Sequence, residues 1–138
     1  MVALEPYVHP VDVIEHAPAT GWFAPKWWSR FFPPRTMHKA IARVDANLGI
    51  DLASIDPGDA VAASKACTLL VRGSDDTLIS TKAMSDLAAR SQRARYVEIP
   101  DEGHVTLFFR SDRLFPPILG WMQRVPDQAS AACPTWNR

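Results

Sequence analysis

The strongest constraint on this chain is a pair of short apolar runs, Cys67-Thr-Leu-Leu-Val71 and Arg95-Tyr-Val-Glu-Ile99, separated by a single amphipathic segment. Each run has strand length. Between them Ser80 is placed to cap a helix that carries Met84, Leu87 and Ala88 on one face. A strand–helix–strand unit crosses over right-handedly, so its two strands run parallel and finish at the same edge of the sheet. The segments just beyond those ends are Gly73-Ser-Asp-Asp76 and Asp101-Glu-Gly-His104. Neighbouring strands lie about 4.8 Å apart, so a carboxylate and an imidazole arrive on one side of one crevice. Ligands of open α/β sheets bind at that edge. An aspartate that accepts the Nδ1 proton of a histidine fixes its tautomer and leaves Nε2 to act as a base.

The remaining pattern predicts an α/β chain with about three mostly parallel strands and flanking helices. Val2 to Glu5 reads as a strand ended by Pro6, apolar enough to predict pairing partners on both sides. Residues 7–66 read as a helical insertion. His9-Pro10 opens a helix through Val11, Val13 and Ile14, and an aromatic run follows in which Trp27 and Phe31, like Trp28 and Phe32, stand four apart. After Pro33-Pro34, Thr36 is the expected N-cap of a helix with Met37, Ile41, Val44 and Leu48 in a stripe and Gly49 as its stop. Asp56-Pro57 starts a shorter helix through Ala60, Val61 and Ala63. Residues 67–125 form the α/β unit, closed by a helical region (Leu114, Phe115, Ile118, Leu119, Met122) that Pro116-Pro117 is expected to interrupt. Residues 126–138 read as a polar, frayed tail.

Composition narrows the function classes. Fifteen basic and fifteen acidic residues balance to zero, which gives no electrostatic reason to expect nucleic acid as a partner. No run approaches the ~20 apolar residues of a membrane span, and the start shows no signal-peptide pattern. Two cysteines are too few for a disulfide framework. Cys67 is expected as a buried thiol and Cys133 as an exposed one, which makes the cytoplasm the expected location.

The segment Thr68-Leu-Leu-Val-Arg-Gly-Ser-Asp-Asp-Thr-Leu-Ile79 resembles the α/β-hydrolase superfamily, in which an apolar strand runs into a Gly-x-x-Asp turn. Tyr96-Val-Glu-Ile-Pro-Asp-Glu-Gly-His104 resembles that family's last strand and Gly-His turn, and Phe115 to Met122 its terminal helix. Leu48 to Pro57 resembles the approach to the acid strand in serine-aminopeptidase-like members, and Val2 to Pro6 the strand before the lid. The resemblance implies the C-terminal part of an α/β-hydrolase, with Asp76 as the triad acid, His104 as the base and residues 7–66 as a helical lid. It implies hydrolysis of a small ester, amide or peptide by acyl transfer, with no cofactor and no metal. Arg72 stands where many relatives have histidine, a departure expected to be inconsequential. The larger departure is that no Gly-x-Ser-x-Gly nucleophile turn occurs in the chain. A missing N-terminal half is therefore expected to supply the serine, with the isolated chain inactive and prone to association through an unpaired strand edge, as a homo-oligomer or with that half.

Plainer readings compete for each residue. Asp76 could be a turn carboxylate, and Asp75 is the neighbour most easily mistaken for it. Glu5 is a lesser candidate acid, on the analogy of hydrolases that place theirs after the earlier strand. Asp101 and Glu102 are expected in a solvated turn. His9, His16 and His38 lack metal-ligand spacing, and His38 is expected at the surface. Trp22, Phe23, Trp27, Trp28 and Phe31 read first as lid-to-core packing, with a substrate-facing lid as the alternative. A degenerate, non-catalytic binding module is the rival function. A flavodoxin-like domain is a weaker third reading, since no glycine-rich phosphate loop is present.

Overall fold

The computed structural model describes residues 1–20, 25–127 and 131–136. Three strands, β1 (Val2–Leu4), β2 (Thr68–Gly73) and β3 (Ala94–Ile99), form a parallel sheet in the order β1-β2-β3. Six helices accompany them among the described residues: α1 (Pro10–Thr20), α2 (Pro34–Leu48), α3 (Pro57–Ala63), α4 (Thr81–Ala89), α5 (Thr106–Phe109) and α6 (Ser111–Gln123). The central strand β2 is buried at every position. Its alternation divides the core, as a pleated strand must. Leu69 and Val71 face α5 and α6, together with Val97, Ile99, Leu107, Leu114, Ile118 and Trp121. Leu70 faces the other way, into a cluster with Val8, Val61, Ile79, Met84, Leu87 and Ala94. Helices cover both faces, as parallel sheets require.

Local signals explain most helix ends. The Ser80 hydroxyl accepts from the Ala83 amide at 3.1 Å, and the Asp56 carboxylate accepts from Gly58 at 2.7 Å with Pro57 in the first turn. Gly49 ends α2 at φ +66°, the left-handed conformation that glycine adopts without steric cost. Thr36 is not the N-cap of α2. The helix begins at Pro34, whose ring already sets φ, after an extended Pro33 that makes no side-chain cap. In its apolar stripe only Ile41 is buried, while Val44 and Leu48 are exposed. Pro116-Pro117 does not interrupt α6. The carbonyls deprived of partners belong to Asp112 and Arg113, at exposed positions that water can reach. β1 pairs with β2 alone among the described residues, which leaves its other edge unpaired there.

Two further expectations are corrected. Cys67 and Cys133 are not separate thiols: they form a disulfide with a Cα–Cα distance of 5.5 Å, and both are buried. The tail is accordingly anchored over its described part, not frayed. Trp121 Nε1 donates to the Pro134 carbonyl at 3.1 Å, Arg93 donates to the Ala131 carbonyl at 3.0 Å, and Trp136 packs on the α6 face of the core. The second correction concerns the aromatic run. Trp22 and Phe23 lie outside the described residues, and residues Lys26–Phe31 form a short 3-10 helix that buries nothing. Trp27 and Phe31 meet edge to face at 6.1 Å, yet both are more than half exposed, so lid-to-core packing fails there.

A bond across 66 residues restricts the unfolded chain strongly. Cys133→Ser is expected to cost about 2–4 kcal/mol of stability. It should also red-shift tryptophan emission as the segment around Trp136 comes loose. Chemical denaturation followed by fluorescence measures both effects. An unchanged midpoint and spectrum would show that the bond does not anchor the tail.

Candidate acid–base site

The carboxyl ends of the three strands bring three ionisable side chains together. Glu5 follows β1, Asp76 follows β2 and His104 follows β3, and all three are buried. In-register pairing of β2 with β3 ends at Gly73 opposite Ile99. From there Ser74 N donates to the Ile99 carbonyl and Asp75 N to the Glu102 carbonyl, each at 2.8 Å, which carries the two loops forward side by side. Gly73 makes this possible, because a Cβ there would lie 2.1 Å from the Glu102 oxygen.

Asp76 Oδ2 lies 3.0 Å from His104 Nδ1, and its other oxygen accepts the amides of Leu78 at 2.6 Å and Ile79 at 3.0 Å. Burial pushes this carboxyl up. The neighbouring Glu5 carboxyl and the hydrogen bonds from the Ile79 amide, His104 and the Leu78 amide together outweigh burial and hold it below its ordinary value of 3.8. An ionised Asp76 requires the imidazole proton on Nδ1, which turns the Nε2 lone pair toward the Tyr7 hydroxyl at 3.4 Å. The Tyr7 ring stacks on the imidazole with centroids 5.8 Å apart. Such a pair can hold one tautomer and accept a proton at Nε2.

Three features were not anticipated from the sequence. Glu5, the lesser candidate acid, sits with Asp76 and His104 so that one ligand-type atom of each lies within 4.8 Å of the others. Its Oε1 accepts the Gly73 amide at 2.7 Å, and its Oε2 is 3.9 Å from His104 Nδ1 with no hydrogen-bond partner. Burial above all, then the neighbouring Asp76 carboxylate, pushes Glu5 up to about 8 from its ordinary 4.5. Arg72 is not inconsequential. Its buried guanidinium donates to the carbonyls of Ile79 and Asp76, each at 2.6 Å, and to Glu98 at 2.9 Å, and so fixes the loop that carries the acid. Glu102 is buried and paired with Arg110 at 3.2 Å, not solvated, whereas Asp101 is exposed in a left-handed turn at φ +60°.

Asp75 is exposed and bonds to Ser74, away from the imidazole. His38 pairs with Glu15 at the surface. Neither His9 nor His38 joins the cluster, and the side chain of His16 is outside the described residues.

Two measurements follow from this geometry. Arg72→Met leaves the Ile79 and Asp76 carbonyls short of their donors and should destabilise the fold by roughly 3 kcal/mol, read as a shift of the urea midpoint. An unshifted midpoint would mean the guanidinium bonds are replaced by water without loss. Glu5 has a raised pKa in the folded state, so the fold binds its proton more tightly than the unfolded chain does. Its contribution is fully present below pH 4.5 and is lost as pH rises through about 8. Melting temperature should therefore fall across that interval more steeply in the wild type than in Glu5→Gln, and parallel profiles would contradict the assignment.

No family model matches the chain, and neither the characterised proteins nor the solved structures contain a detectably similar one.

Proposed function

We propose that the chain supplies the acid–base half of a serine-type α/β-hydrolase site, with Asp76 as the acid and His104 as the general base. The observation that carries this reading is the 3.0 Å contact between Asp76 Oδ2 and His104 Nδ1, buried at the carboxyl edge of a parallel sheet. In the proposed reaction a serine hydroxyl attacks an ester or amide carbonyl while its proton passes to His104 Nε2. His104 then protonates the leaving group and later activates water, and Asp76 stabilises the imidazolium. No residue of the chain lies in a Gly-x-Ser-x-Gly turn. The nucleophile is therefore assigned to polypeptide outside these 138 residues, on a strand that pairs with the free edge of β1. Substrate identity is left at a small ester, amide or peptide, because a fold does not fix a substrate.

The second reading, a binding module without catalysis, is favoured by one observation: Trp27, Trp28 and Phe31 form an exposed aromatic patch. Location is a separate matter. No helix among the described residues is long and apolar enough to cross a membrane. The cytoplasmic expectation rested on two free thiols, and the Cys67–Cys133 bond suits an oxidising compartment better.

A fluorophosphonate probe separates the two functions. The chain alone should not be labelled. Joined to a strand–helix segment that bears a Gly-x-Ser-x-Gly turn and pairs with β1, it should be labelled at a serine of that added segment, with the rate at least ~10³-fold lower in His104→Ala. Labelling of a serine within the 138 residues, or a joined protein indifferent to His104→Ala, would refute the hydrolase assignment.

A further inference from the structure

Glu5 is held in place by more than its strand. Its backbone adopts φ +47°, a left-handed conformation uncommon for a residue with a side chain, and its amide donates to the Val71 carbonyl at 2.8 Å. The turn sends the carboxyl back across the end of β2, where the Gly73 amide takes Oε1 and Oε2 is left beside the imidazole. Two residues on, Tyr7 meets Nε2. One short loop thus brackets both nitrogens of His104.

The charged and titratable groups around Glu5 come from every neighbouring element: Asp76 from the loop after β2, Arg72 from β2 itself, His104 from the loop before α5, and Tyr7 from its own loop. Arg72 is engaged by backbone carbonyls and by Glu98, so it is not a dedicated counter-charge for Glu5. Two ionised carboxylates at this separation, both out of water, repel strongly, and a single proton between them removes the conflict. Glu5 is the member that accepts it. Asp76 already takes two amides and the imidazole, whereas Glu5 has one amide and an oxygen without a partner.

We propose that Glu5 is a positioning residue for His104, a neutral carboxyl that shares its one proton with Asp76 and so leaves a single negative charge beside the imidazole. The inference rests on the reading of Asp76 and His104 as acid and base. One charge orients the Nδ1–H, while a second would favour the imidazolium, the form that cannot act as a base. Glu5 thereby sets an alkaline limit to base function, reached when its proton leaves.

Nuclear magnetic resonance of the full chain reads this directly. The Gly73 amide donates to Glu5 and reports its ionisation. In the wild type that amide should shift through a transition above neutral pH. In Glu5→Gln, whose carboxamide keeps both the acceptor for Gly73 and a donor toward Asp76, the transition should vanish while the downfield Nδ1–H resonance of His104 persists. A Gly73 transition in the ordinary carboxylate range, or one that survives Glu5→Gln, would overturn the proposal. So would Zn²⁺ alone shifting these resonances at neutral pH in the wild type but not in Glu5→Gln, since Glu5 would then be a metal ligand and not a proton holder. The acid–base reading fails separately, if the Nδ1–H resonance is absent from the wild type or survives Asp76→Ala.

Discussion

The approach of the Glu102 carbonyl to Gly73 is the contact on which the site depends. A methyl group at position 73 would meet that oxygen at 2.1 Å, and the clash is with backbone, which has no rotamer by which to yield. The bare backbone at this position lets the loop after β3 fold down onto the loop after β2, and the amide of Asp75 closes the contact. Asp76 and His104 follow at one and two residues beyond the two bonded positions. Their separation is therefore fixed by strand register and by the absence of one side chain.

Buried charge governs the rest of the edge. A guanidinium, three carboxyls (Glu5, Asp76 and Glu102) and an imidazole lie within a few residues of the strand ends, all nearly removed from water. Such groups are tolerated only when paired, hydrogen-bonded or neutralised. Each solution is visible here. Arg72 spends its donors on loop carbonyls and Glu98, Asp76 is saturated by amides and the imidazole, and burial shifts Glu5 up to about 8, toward its neutral form. The same arrangement that makes the acid loop rigid leaves one carboxyl oxygen of Glu5 without a fixed partner, next to the base. Structure and titration are coupled because both draw on these few groups.

The strand–helix–strand core was legible because its signals are local. The apolar runs, the Ser80 cap and the positions of Asp76 and His104 after consecutive strands all lie within some forty residues, and parallel pairing then does the rest. What escaped notice depends on pairings the sequence does not print. Glu5 becomes important only when β1 is laid against β2, more than sixty residues away, and turned back by a left-handed residue. Arg72 matters because its side chain ties the loop after β2 to Glu98 on β3, a role that no spacing rule encodes. The Cys67–Cys133 bond spans 66 residues, and a polar tail gives no hint that it returns to the sheet. The exposure of Trp27 and Phe31 failed a compositional argument, since aromatics are core residues only where something covers them.

The two outer strands do not contribute equally to this arrangement. β3 meets β2 along six paired positions and continues into bonded loops, so His104 is held from the well-paired side. β1 contributes three paired positions, with partly buried side chains and an edge unpaired among the described residues, yet it carries Glu5 and leads into Tyr7. Tyr7, which meets Nε2, and Glu5, 3.9 Å from Nδ1, thus hang from the thinnest pairing in the sheet, while Asp76 is held by β2. A strand paired at that edge would stiffen β1 first, and through the bond from the Gly73 amide it would act on Glu5, beside His104, before it contributed any side chain of its own.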